Sequence, residues 1–182
     1  MKAAAVSIFL ALAAPAGAAG ITYDCDTAAD HFSELALPAG PGPFSVSGTV
    51  QLNTLAASKK FVAMSRIQIA SASAPGQPPA AYAGFSLSAL PVDPKKTPSG
   101  ASAIQMVDYN VAGSEDEELP LSMLEKPGTP QHFTLAYDGS NVAVTIGTQS
   151  KSFPLRVADP VVRVVCSTGE FLITDLTITG AH

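Results

Sequence analysis

Val161-Val-Arg-Val-Val-Cys166-Ser-Thr-Gly-Glu-Phe171-Leu-Ile-Thr-Asp-Leu-Thr-Ile-Thr179 contains two runs rich in β-branched residues, joined by Ser167-Thr168-Gly169-Glu170. Valine, isoleucine and threonine lose side-chain freedom in a helix and pack well on a pleated surface, so both runs predict strands with a turn between them. The same stretch carries Cys166, one of only two cysteines in 182 residues; the other is Cys25. A late strand that shares a cysteine pair with the start of the chain points to an architecture whose two ends are tied together.

The pairing presumes an oxidising compartment, and the N-terminus supplies the reason. Met1-Lys2, an apolar run from Ala3 to Ala14 and the small-residue exit Ala16-Gly17-Ala18 have the form of an export signal. The run is shorter than the ~20 residues of a membrane-spanning helix. Residues 1–18 are therefore expected to be removed, leaving 19–182 as one domain with no transmembrane segment. The destination is periplasmic or extracellular, in a bacterium by the compact Ala-rich form of the signal. Two cysteines in an exported chain predict a Cys25–Cys166 disulfide.

Working outward from the closing runs, Phe133-Thr-Leu135-Ala-Tyr137 and Val142-Ala-Val144-Thr-Ile146 flank Asp138-Gly139-Ser140-Asn141. Asp, Gly and Asn tolerate the positive φ of a tight turn, which makes this the clearest hairpin in the chain. Phe44 to Leu52 alternates apolar and polar residues with a period of two, a strand with one wet face. Phe61–Ala70 departs from alternation around Ser65-Arg66, so it carries a bulge or is covered on both faces. Gly84–Leu90, Ala103–Val111 and Lys151–Arg156 read as further strands, as does Ile21-Thr22-Tyr23. Thr27–Leu37 reads as a short helical turn with Phe32, Leu35 and Ala36 inward, stopped by Pro38. About ten strands and no long helix predict an all-β, antiparallel two-sheet sandwich of the jelly-roll kind, with that one helical turn near the mature N-terminus.

Phe-x-Leu-x-Tyr-Asp-Gly-x-x-Val-x-Val-x-Ile-Gly, from Phe133, followed by Val-x-Val-x-Cys-Ser-Thr-Gly-Glu-Phe-x-Ile-x-Asp-Leu-x-Ile, resembles the closing strands of concanavalin A-like jelly rolls. That superfamily includes laminin G-like domains, legume-type lectins and polysaccharide-cleaving enzymes. The resemblance covers Phe133 to Thr179 and is one of fold, which hosts many unrelated activities.

Fifteen acidic residues against ten basic ones give a net charge of −5, and no basic cluster is longer than two lysines. That balance argues against nucleic acid as a partner. The resemblance raises glycoside hydrolysis, for which jelly-roll hydrolases place acids along one strand as Glu-x-Asp-x-x-Glu. Here Glu115-Asp116-Glu117-Glu118 is contiguous and reads as a solvated loop. Glu170 and Asp175 have opposite strand parity and should face apart unless a bulge intervenes. His31, His132 and His182 sit in unrelated contexts, and no Gly-x-Ser-x-Gly is present. No catalytic residue is assigned, and the reading leans away from an enzyme.

Asp24, Asp26 and Asp30 are close enough in sequence to suit calcium, the only candidate cofactor, although Asp26 or Thr27 capping the helical turn explains them as well. Tyr82, Asp108, Tyr109 and Asn110 form a candidate ligand cluster, because an aromatic face beside amide and carboxylate groups is what a sugar site needs. The expectation is an exported, non-catalytic binding module for a carbohydrate, another envelope component or an envelope protein. A polysaccharide hydrolase or lyase and a purely structural envelope protein are the alternatives.

Overall fold

The computed structural model describes residues 20–56, 58–93, 95–96, 103–113, 117–118 and 128–180. The signal read at 1–18, Glu115 and Asp116 of the acidic run and His182 lie outside them. Two antiparallel sheets pack face to face. Sheet A has the order β1 (Ile21–Asp26), β12 (Gly169–Thr179), β3 (Phe44–Leu55), β8 (Gln131–Tyr137), β9 (Asn141–Ile146), β10 (Gln149–Pro154). Sheet B has the order β2 (Phe32–Pro38), β11 (Pro160–Ser167), β4 (Ala63–Ser71), β5 (Tyr82–Pro91), β6 (Ala103–Val111), β7 (Glu117–Glu118). The all-β sandwich expected from the sequence is present. Among the described residues it has eleven strands plus the two-residue β7, and no helix.

Alternation along each strand sends one face inward. Val46, Val50 and Leu52 of β3 and Phe171, Ile173 and Leu176 of β12 meet Ile67 and Ile69 of β4 and Phe85 and Leu87 of β5 in a single core. Phe85 of sheet B and Phe133 of sheet A pack at 5.3 Å between ring centroids, in the tilted arrangement that aromatic quadrupoles favour.

Several expectations need correction. Thr27–Leu37 is not helical: a turn over Ala28–His31, with Asp30 at φ 64°, leads into β2. Seven residues of β2 pair in register with β11, and that tertiary ladder outweighs the weak local preference for a helix. The two closing runs do not form a hairpin. β11 belongs to sheet B and β12 to sheet A, so Thr168 (φ 57°) carries the chain from one sheet to the other. Glu170 and Asp175 do not face apart, because a bulge at Asp175 (φ 53°) shifts the register between Thr174 and Thr177. Both acids lie on the outer face of sheet A, about 16 Å apart along the strand, too far for a hydrolase pair. In β4 the choice between bulge and two-sided cover falls to the second: its pairing is regular, and Gln68 and Ala70 are buried on the side away from the core. The tail of the acidic run, expected as loop, is β7, paired with β6.

The disulfide joins Cys25 of β1 to Cys166 of β11, and so sheet A to sheet B, with both residues buried and Cα atoms 6.2 Å apart. Beside it, Thr27 clasps the β11–β12 crossing. Its Oγ1 donates to the Gly169 carbonyl at 2.8 Å and accepts from the Gly169 amide at 3.2 Å. Gly169 is required there, since a Cβ would stand 2.8 Å from the Thr54 carbonyl oxygen. Closing a 141-residue separation is worth up to about 5 kcal/mol in the loop-entropy model, with measured values commonly about 2–4.

The β8–β9 turn is built as expected. Asp138 Oδ1 accepts from the amides of Ser140 (2.8 Å) and Asn141 (2.7 Å). Those bonds, the Ser140 amide foremost, hold the carboxyl down at about 2 from an ordinary 3.8. A depressed folded-state value means that the ionised group stabilises the fold above pH 3.8 and that this contribution is lost as pH falls through about 2.

Replacing both cysteines by alanine should lower the unfolding free energy by about 2–4 kcal/mol in urea, and an unchanged midpoint would contradict the sheet-to-sheet role. In an NMR titration the Asp138 carboxyl should titrate near 2, and D138N should flatten the loss of stability in that acid range. Titration at 3.8 would refute the turn geometry.

Candidate functional site

The outer face of sheet B collects polar side chains from five strands. The register aligns Glu34, Val165, Arg66, Ser86 and Asp108 in one row and Ala36, Arg163, Gln68, Gly84 and Asn110 in the next. Four strand spacings from β2 to β6 make this face roughly 19 Å across.

At the β2 edge, Arg163 donates to Glu34 through Nε (2.7 Å) and a terminal nitrogen (3.2 Å), a two-bond pair with both side chains nearly buried. Arg163 is the main reason that the Glu34 carboxyl lies below its ordinary value; burial opposes it, and the Gly76 amide adds to it. That amide donates to Glu34 Oε2 at 3.3 Å and draws the β4–β5 loop back over β2. Between loop and strand runs a groove of about 490 Å³ lined by Phe32, Glu34, Ala36, Ser73, Pro75 and Gly76. Phe32 is 60% exposed on its wall, an unusual position for a phenyl ring.

Further across, Gln68 Nε2 donates to Asn110 Oδ1, spanning Gly84, the residue that separates them in the register. Gly84 must lack a side chain: a Cβ would collide with the Ile67 carbonyl oxygen and lie 2.7 Å from Gln68 Cα. Gln68, Ser86 and Asn110 are buried although they stand on the side of the sheet away from the core. Gln68 Oε1 and Arg66 Nε are buried on this face without a hydrogen-bond partner. A buried polar atom left unpaired costs about 1–3 kcal/mol, so each calls for an explanation.

The outer face of sheet A differs. Glu170 accepts from Asn53 (3.1 Å) and Thr54 (2.9 Å), which lower its carboxyl below the ordinary value in that order. Thr49 Oγ1 and His132 Nδ1 lie 2.9 Å apart, and Thr145 pairs with Ser150. These polar groups satisfy one another.

Of the ligand cluster read from sequence, Asp108 and Asn110 stand on the outer face of β6 and Tyr82 on that of β5. Tyr109 has the opposite parity and packs in the core edge-on against Phe153, 5.2 Å between centroids. Asp24 and Asp26 are exposed on β1, while Asp30 accepts from Ser58 Oγ at 2.6 Å. Among the described residues no three His, Cys, Asp or Glu side chains come together as a metal-holding group. Phe32, Glu34, Arg66, Gln68 and Arg163 escaped the sequence reading. The signal that would have found the first two is the alternation of Ser33, Leu35 and Leu37 with Phe32, Glu34 and Ala36.

No family model matches the chain, and no curated protein matches it. Solved structures do. CG-16, a homodimeric agglutinin from chicken liver, is 14% identical with a TM-score of 0.43, over 81% of this chain and 100% of its own. A single mutant of congerin II is 12% identical with a TM-score of 0.46, over 81% of this chain and 99% of its own. Scytalido-glutamic peptidase, solved with a peptide-based transition-state analogue, is 12% identical with a TM-score of 0.46, over 79% of this chain and 64% of that one. These likenesses assign neither a family nor a chemistry.

Gly84→Ala should force β4 and β5 apart and destabilise the protein by about 1–3 kcal/mol, the usual cost of overpacking. An unfolding midpoint equal to that of the parent would show that the close approach at Gly84 is not needed.

Proposed function

We propose that this chain is an exported, non-catalytic binding module whose ligand is a glycan laid across the outer face of sheet B. The observation that carries the reading is Gln68. Its carboxamide is 2% exposed, spends its donor end on Asn110 and has its acceptor oxygen unpaired. A ligand hydroxyl that displaces what covers this oxygen supplies the missing donor, and sugars present many hydroxyls at once. Phe32 adds the apolar surface on which the C–H face of a sugar ring packs, in a groove of the size that ligand sites commonly have. The leader read at residues 1–18 and the Cys25–Cys166 disulfide support action in the periplasm or outside the cell, where such a bond persists.

Thermal unfolding of residues 19–182 across a panel of oligosaccharides tests this reading, because a ligand that binds only the folded state raises the melting temperature. One glycan class should raise it, and the rise should vanish in Gln68→Met while the unliganded variant still melts cooperatively. A rise that survives in Gln68→Met, or no rise with any glycan, would contradict the site.

A further inference from the structure

Arg66 refines the chemistry of this ligand. Resting on the glycan reading above, we infer that the bound glycan is acidic and that Arg66 grips its carboxylate. Two arginines stand on the outer face of sheet B. Arg163 is matched by Glu34 in a two-bond pair. Arg66 is half-buried, its Nε is buried without an acceptor, and among the described residues it has no ion-pair partner. Scarcity of acids does not explain this, since the chain carries fifteen against ten bases.

The row itself shows why Arg66 stays unmatched. Its neighbour on β11 is the apolar Val165, and its neighbour on β5 is the short Ser86. Asp108, beyond Ser86 in the same row, is engaged by another group, and Glu34, as far away on the other side, is committed to Arg163. A guanidinium is a planar fork of donors that fits a carboxylate with two parallel bonds, and a partly desolvated one gains most from such a partner. Gln68 is two residues on along β4, on the same face and about 6.7 Å away. Arg66 therefore asks for a carboxylate and Gln68, beside it, for a hydroxyl donor. A sugar acid carries both groups.

The test titrates the mature protein with a tetramer of galacturonate, a neutral galactose tetramer and a glutamate tetrapeptide at fixed ionic strength. The galacturonate tetramer should bind roughly tenfold or more tightly than the neutral one, as a charge-assisted bond requires. Arg66→Gln should remove that advantage, leaving the two tetramers bound within about twofold of each other. Arg66→Lys, which keeps the charge and loses the fork, should restore part of it. Thermal unfolding of both variants confirms that each is folded. Equal binding of the two tetramers, unmoved by Arg66→Gln, would overturn the acidic ligand and leave the glycan reading standing. Binding of neither tetramer would overturn the acidic ligand, and the oligosaccharide panel then decides the glycan reading. A glutamate peptide bound as tightly as the galacturonate tetramer would overturn the sugar as the source of the carboxylate.

Discussion

The clasp between the β1–β2 turn and the β11–β12 crossing governs the rest of the structure. Thr27 binds both backbone groups of Gly169, the Thr168 amide reaches the His31 carbonyl at 3.3 Å, and the Cys25–Cys166 bridge closes alongside. At this point two strands of sheet A, β1 and β12, are handed over to two strands of sheet B, β2 and β11. Because a one-residue slip would invert every side chain of β2, the clasp also decides what that strand shows to solvent. With the register held, Ser33, Leu35 and Leu37 turn inward, and Phe32 and Glu34 turn outward beside Arg163. The groove of sheet B is a consequence of that register.

The two outer faces of the sandwich both carry polar side chains but differ in how those side chains are satisfied. On sheet A, hydroxyls, amides and a carboxylate pair among themselves, which suits a surface that faces only water. On sheet B, a buried amide oxygen and a buried guanidinium nitrogen stay unpaired beside the matched pair Glu34–Arg163. Folding alone gains nothing from such groups, since each loses water without receiving a partner. They would gain from a ligand, and this difference between the outer faces is why the proposed site is placed on sheet B.

Much of the fold was legible in the sequence because its signals are local. The alternation in Phe44–Leu52, the Asp138–Asn141 turn and the β-branched closing runs each follow from residues within a few positions of one another. What misled was non-local. The apolar residues of Thr27–Leu37 fit a helical spacing as well as a strand, and only the ladder with β11, more than a hundred residues away, decides between them. The closing runs looked like a hairpin because a short turn usually joins paired strands, whereas Thr168 and Gly169 pass between sheets. At Asp175 a single bulge reversed the parity argument that separated it from Glu170. The candidate site suffered most: Asp108, Asn110 and Tyr82 could be placed on one face by alternation. Arg66 and Gln68 were hidden, because a polar residue left unpaired is a property of its neighbours across the sheet and leaves no mark in its own segment.

The most direct test of the central claim is a map of amide chemical-shift changes in residues 19–182 on addition of an oligosaccharide that binds. The account predicts changes along the outer row of β4, β5 and β6, centred on Gln68 and extending toward Phe32 on β2, with sheet A unaffected. Changes centred on the outer face of β3, β8 and β12, around Thr49, His132 and Asp175, would contradict it.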